Sequence, residues 1–168
     1  NSNNPFFFYL AYNAPHGPLQ ATDQYLKRYD HIKEKNRKTY AAMVSAVDDG
    51  VGNIVSKLKE KGIYENTIIY FLSDNGGRLR GDSDNGELRG KKGNLFEGGI
   101  RVPFVMQWPA KVKGGQIYNN PVISLDIFAT SKALTSPNIV SKNELHGVNL
   151  IPFLTGEKTH APHDNLFW

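Results

Sequence analysis

Thr67-Ile68-Ile69-Tyr70-Phe71-Leu72-Ser73-Asp74-Asn75-Gly76-Gly77 is the stretch from which the architecture follows. It opens with a short run rich in β-branched and aromatic residues. Such a run, bounded by turn residues, reads as a buried strand. An acid, an amide and two glycines then fall where the strand ends. In α/β folds, the loops at the carboxyl ends of strands are where ligands bind. Asp74 and Asn75 offer hard oxygen donors of the kind Ca²⁺ or Mg²⁺ takes. Gly76 and Gly77 let the backbone turn tightly and leave room for a ligand. The same four residues are also ordinary turn chemistry, and on their own they leave both readings open.

Upstream, Arg37 to Lys61 carries Tyr40, Met43, Val44, Val47, Val51, Ile54, Val55 and Leu58 every three or four residues. That spacing predicts one amphipathic helix with a single apolar stripe. Gly62 stands where the helix should stop, behind Lys57, Lys59 and Lys61, whose charges suit a C-terminal dipole. Asp48 and Asp49 lie mid-helix, at least one of them on a solvated face. Leu19 to Lys38 is polar, fitting a short amphipathic helix or an irregular crossover. Pro5 to Tyr12, Pro-Phe-Phe-Phe-Tyr-Leu-Ala-Tyr, reads as a central strand. It ends in Asn13-Ala14-Pro15-His16-Gly17-Pro18, where two prolines restrict the backbone around His16. A surface histidine without a role is the plain alternative there. Strand, helix, strand argues for a mostly parallel sheet flanked by helices. With both strands parallel, His16 and Asp74 emerge at the same sheet edge.

Downstream, Arg78 to Lys92 is a loop rich in Gly, Asp and Arg. Asp82-Ser83-Asp84-Asn85-Gly86-Glu87 lacks the spacing of an EF-hand and reads as an exposed turn. Gly90-Lys91-Lys92-Gly93 sets two lysines among glycines, suited to an anion or simply to solvent. Phe104 to Trp108 reads as a strand, Val122 to Leu134 as a helix, and Val148 to Leu154 as a short apolar segment. His160 and His163 flank Ala161-Pro162 and read as surface histidines. Asn165-Leu166-Phe167-Trp168 looks like the first residues of a strand, as in a fragment.

Composition narrows the classes. At 168 residues, 39% hydrophobic and 21% charged, the chain is long enough for one domain with a real core. No apolar run approaches the roughly 20 residues of a membrane span. With no cysteine, the chain has neither disulfide nor thiolate chemistry. A net charge of +4, clustered only at Arg89, Lys91 and Lys92, gives no nucleic-acid stripe.

Four separated segments then resemble one family, the arylsulfatase-like sulfatases of the alkaline-phosphatase superfamily, which use a formylglycine nucleophile. They are Phe7 to Pro18, Tyr40 to Asp49, Thr67 to Gly77 and Lys92 to Pro103, with Gly147 to Gly156 similar to a later family segment. The resemblance implies an incomplete α/β sulfatase-like fold: residues 1–168 as a single partial catalytic domain, without the nucleophile region and the C-terminal subdomain. It implies that Asp74 and Asn75 are the second pair of calcium ligands, with Mg²⁺ as an alternative. Lys92 matches the family's sulfate-contacting lysine, and His16 the histidine near the leaving oxygen. Glu97, Gly98, Gly99 and Arg101 look like support for the loop. His146 departs from the acid the family commonly has before Gly-Val.

The family's Cys-x-Pro-Ser-Arg nucleophile motif and its first pair of aspartate ligands are absent here. The expectation is therefore a sulfate ester hydrolase in the full-length parent, with this piece inactive alone. The formylglycine belongs to that parent. The alternatives are a non-catalytic module binding anions or sulfated glycans, and a phosphodiesterase or phosphonate hydrolase of the same superfamily. The implied partners are a sulfated small molecule or glycan, and self-association through an exposed sheet edge. The resemblance implies a periplasmic, secreted or lysosomal setting, as for most relatives.

Overall fold

The computed structural model describes residues 4–78, 83–138 and 143–168. Asp82, at the start of the turn read at 82–87, lies outside them. The elements are α1 (Asp23–Leu26), α2 (Lys35–Glu60), β1 (Ile69–Leu72), α3 (Glu97–Ile100), β2 (Phe104–Gln107), α4 (Leu125–Thr135) and α5 (Ile151–Leu154), with a 3₁₀ turn at Lys27–Tyr29 after α1. Two compact units emerge. One comprises the chain up to Lys57 together with Asn75–Arg101; the other comprises Leu58–Asp74 and Val102–Trp168.

In the first unit, α2 begins where the Glu34 carboxylate accepts the backbone N–H of Asn36 at 3.0 Å and that of Arg37. An acid at this end satisfies orphan donors and suits the helix dipole. The helix buries Ala42, Met43, Ser45 and Val47. Val44, expected in the apolar stripe, is exposed instead, and Ala42 and Ser45 take the inner face. Gly50 lets the helix approach Tyr12, whose hydroxyl occupies the space a side chain there would need. Arg28, in the 3₁₀ turn, reaches α2 with two bonds to the Asp49 carboxylate, at 3.0 and 2.7 Å, and one to Ser45 Oγ at 2.8 Å. That bidentate grip holds the Asp49 carboxyl below its usual range.

Pro5 to Tyr12, expected as a central strand, runs without a ladder. Phe7 is 82% and Tyr9 79% exposed. A strand is defined by its partner, and the described residues supply none for this run.

In the second unit, Gly62, at φ 67°, closes α2's last turn: its N–H bonds Lys59 O at 2.9 Å, and Ile63 N–H bonds Leu58 O at 3.1 Å. β1 and β2 pair antiparallel, from Ile69 against Gln107 to Leu72 against Phe104. This is the one ladder among the described residues, and it does not include the parallel partner expected for this strand at Pro5 to Tyr12. A parallel return needs a crossover, usually a helix. Among the described residues between β1 and β2 the chain instead carries irregular glycine-rich loops and one four-residue helix.

The core of this unit gathers on α4. Asp126, fully buried, accepts Ile123 N–H at 2.9 Å, Val148 N–H at 2.8 Å and His163 Nε2–H at 2.9 Å. One turn on, Thr130 Oγ1 accepts Leu150 N–H at 3.0 Å. His163 retains only 7% of its side-chain exposure, which corrects its reading as a surface histidine; His160 is exposed as expected. The sequence signal was the Pro162 break, but the buried carboxylate that draws His163 inward lies 37 residues away.

Two outcomes follow. Replacing Asp126 by Ala strands three donors, and the denaturation midpoint should report a loss of about 3–5 kcal/mol. The Arg28–Asp49 contribution is complete above the ordinary carboxylate pKa and fades as pH falls through Asp49's depressed one. Stability measured across that acid window should therefore lose part of its slope in Asp49→Asn.

Candidate functional site

The loop that opens at Asn75 packs backbone on backbone within the first unit. Gly76 N–H donates to Gly99 O at 2.9 Å, and a methyl group on Gly76 would collide with the Gly98 carbonyl. At Gly98 a Cβ would lie 2.7 Å from Leu88 O and 2.8 Å from Arg89 O, with Gly90 O nearer still. Gly99 is enclosed in the same way by Asn94 O and Lys91 O. Both residues are buried in α3. Only glycine fits at such approaches, which is why Gly98-Gly99 stands here.

Asn85 stitches this arrangement together. Its Oδ1 accepts Gly77 N–H at 2.7 Å, and its Nδ2 donates to Gly90 O at 3.0 Å. One amide thus joins the turn after Asn75 to the loop that carries the lysines. Sequence reasoning missed Asn85, because an amide in an Asp-Ser-Asp-Asn-Gly run looks like a turn former; nothing in its spacing marks it as a tie.

Lys92 N–H donates to Gly77 O at 3.0 Å, two residues beyond Asn75. The structure therefore brings the Lys92 backbone onto the Asn75–Gly77 turn. The Lys92 side chain is exposed. Asn75 Nδ2 donates to Gly76 O at 3.0 Å, which turns the amide's donor end onto the backbone.

Asp74 closes the strand stretch of the other unit and is exposed. A carboxylate followed by an amide is suitable donor chemistry for a hard cation. Two side chains fall short of the six to eight oxygens Ca²⁺ takes. Among the described residues no cluster of three or more His, Cys, Asp or Glu forms a complete metal site.

His16 sits in a loop of the first unit. Its N–H donates to Asn13 O at 2.8 Å, and its Nδ1 lies 2.8 Å from Gly17 O. A carbonyl can only accept, so Nδ1 carries the proton, and Nε2 is the basic nitrogen of the neutral ring. The ring is exposed, and its hydrogen bonds are all local; none reaches Lys92 or Asn75. Chemically, the first unit offers an imidazole with a fixed tautomer and an ammonium on a rigid loop. Both are groups that stabilise or protonate a developing oxyanion.

Comparison with known proteins gives this arrangement a context. The family model described as Sulfatase matches residues 1–136. The chain is 38% identical over 169 residues to the sulfatase YdeN of Escherichia coli (strain K12), covering 99% of this chain and 30% of that protein. It is 38% identical over 146 residues to arylsulfatase J of Mus musculus, covering 87% of this chain and 24% of that protein. The crystal structure of Ps i-CgsB in complex with k-i-k-neocarrahexaose superposes with a TM-score of 0.91 at 45% identity, over 97% of this chain and 36% of that one. The chain thus spans about a third or less of the proteins it matches.

The glycine cluster makes a direct prediction. A Cβ at Gly98 meets backbone oxygens only, so Gly98→Ala should cost stability at the upper end of a small-to-large change, about 3 kcal/mol. Circular dichroism melting should show it. Gly52→Ala, on open surface, should be neutral or stabilising by comparison.

Proposed function

The chain belongs to the sulfatase family, and from that membership we propose that it forms part of the catalytic domain of a sulfate ester hydrolase acting on a sulfated glycan. The observation that supports the reading is the Lys92 N–H bond to Gly77 O at 3.0 Å, which ties the loop carrying Lys92 to the turn that follows Asn75. The glycan class is supported by the oligosaccharide in the Ps i-CgsB complex.

Sulfuryl transfer to water cleaves the S–O bond and leaves charge on the sulfuryl oxygens and on the departing alkoxide. Lys92 would neutralise the former. His16, once protonated at Nε2, would hand that proton to the leaving oxygen. Its Nδ1 bond to Gly17 O leaves Nε2 as the nitrogen that would face a substrate. Asp74 and Asn75 would hold Ca²⁺, which supplies further positive charge at the sulfuryl group when bound. The remaining ligands and the formylglycine nucleophile belong to the longer parent protein, so residues 1–168 alone would release no sulfate.

The test is sulfate release from sulfated neocarrahexaose by the parent protein, beside residues 1–168 alone. The parent should release sulfate and the isolated chain should not. His16→Ala and Lys92→Ala should each lower the parent's kcat by about 10²-fold or more. Removing divalent cations with a chelator should abolish turnover, and Ca²⁺ should restore it. Hydrolysis of a phosphonate monoester offered in parallel, with no sulfate released from the oligosaccharide, would replace this reading with that of a phosphonate hydrolase. Sulfate release by the isolated chain would refute the partial-site account.

A further inference from the structure

Arg89, Lys91 and Lys92 place three cationic side chains within four residues, all exposed. Their backbone is held at every step. Gly98 N–H bonds Arg89 O at 2.7 Å, Asn85 Nδ2 bonds Gly90 O at 3.0 Å, Lys91 N–H bonds Asn94 Oδ1 at 3.2 Å and Lys92 N–H bonds Gly77 O at 3.0 Å. Flexible surface lysines lose side-chain and backbone freedom when they bind. Here the backbone part of that cost has already been met by folding.

Among the described residues none of the three forms an ion pair. Two acids of this region are engaged elsewhere: Glu97 lies 3.5 Å from Arg101, and Asp84 accepts Gly86 N–H at 2.9 Å. Arg89 is positioned all the same. Its guanidinium lies 3.9 Å over the Phe96 ring, which is itself 46% exposed. A guanidinium resting on an aromatic face keeps its N–H donors free for an anion. Those donors match two oxygens of a sulfate in the bidentate manner that lysine cannot reproduce.

Lys92 has a task in the reading proposed above, whereas Arg89 and Lys91 have none. We infer that Arg89, backed by Phe96, and Lys91 form a second sulfate-recognition point beside Lys92, selecting saccharides that carry another sulfate group close to the one being hydrolysed. The inference rests on the sulfated-glycan reading for its ligand class, though not on catalysis by this chain. Like charges on a fixed loop repel one another, and a doubly sulfated ligand relieves that repulsion where a singly sulfated one relieves only part.

The test is calorimetric titration of residues 1–168 with two neocarra-oligosaccharides of equal length, one bearing a single sulfate and one bearing a second on the adjoining sugar. The chain should prefer the doubly sulfated ligand by about tenfold, with the preference shrinking as salt rises. Arg89→Gln and Lys91→Gln should each erode that preference while leaving the singly sulfated ligand within about twofold. Lys92→Gln should weaken both. Arg89→Lys, which keeps the charge and loses the fork, should fall between the unsubstituted chain and Arg89→Gln. Phe96→Leu should behave in the same intermediate way.

Equal binding of the two ligands by unsubstituted residues 1–168, no binding of either, or a preference that survives both Gln variants would overturn the inference. Sulfate release is scored separately. If the parent protein releases none while the two-sulfate preference persists, the catalytic reading fails and this recognition point stands. If release occurs and the preference is missing, the reverse holds.

Discussion

Between Gly76, Gly98 and Gly99 the chain has no room for a methyl group. That exclusion is the constraint on which the first unit's chemistry depends. It lets three stretches of backbone meet at carbonyl distance, and the Asn85 amide then bonds across them. The lysine loop gains its position from this contact rather than from a helix or strand. Side chains on loops are usually placed loosely. Here the loop is braced from beneath by its own peptide groups, so short irregular elements can hold charged residues as firmly as regular ones would.

Much of this was legible in the sequence, for identifiable reasons. The α2 helix follows from its period, and its end from Gly62, because both are local properties of the chain. The turn at Asp74 to Gly77 follows from its composition. What local patterns could not supply was partnership. Pro5 to Tyr12 has the composition of a central strand, yet strand character is conferred by neighbours, and the run lies open. The direction of β2 against β1 is set by how the intervening chain returns, and no residue in either strand encodes it. His163 reads as a surface residue by every local measure. Only the carboxylate 37 positions earlier makes it an interior one.

Charge is distributed by a similar logic. Arg28 has a carboxylate waiting on α2, and the pair is closed and satisfied. Arg89 has an aromatic face instead, which orients the guanidinium without neutralising it. The first arrangement consumes the charge in holding a turn to a helix. The second preserves it for whatever approaches from solvent. Two arginines in one small unit thus illustrate how the same side chain serves architecture or recognition according to what lies beneath it.

The Asp126 carboxylate carries one more consequence. It accepts amide protons from Ile123 and Val148, which belong to segments far apart in sequence, and Leu150 N–H is held one helical turn away by Thr130. None of these amides is protected by a ladder or by the interior of a long helix. Their exchange with deuterated solvent would ordinarily resemble that of loops. Because a single buried group receives two of them, neither can open without disturbing the other, and they should exchange at a common slow rate as one cooperative unit. Irregular backbone can in this way acquire the kinetic signature of a core.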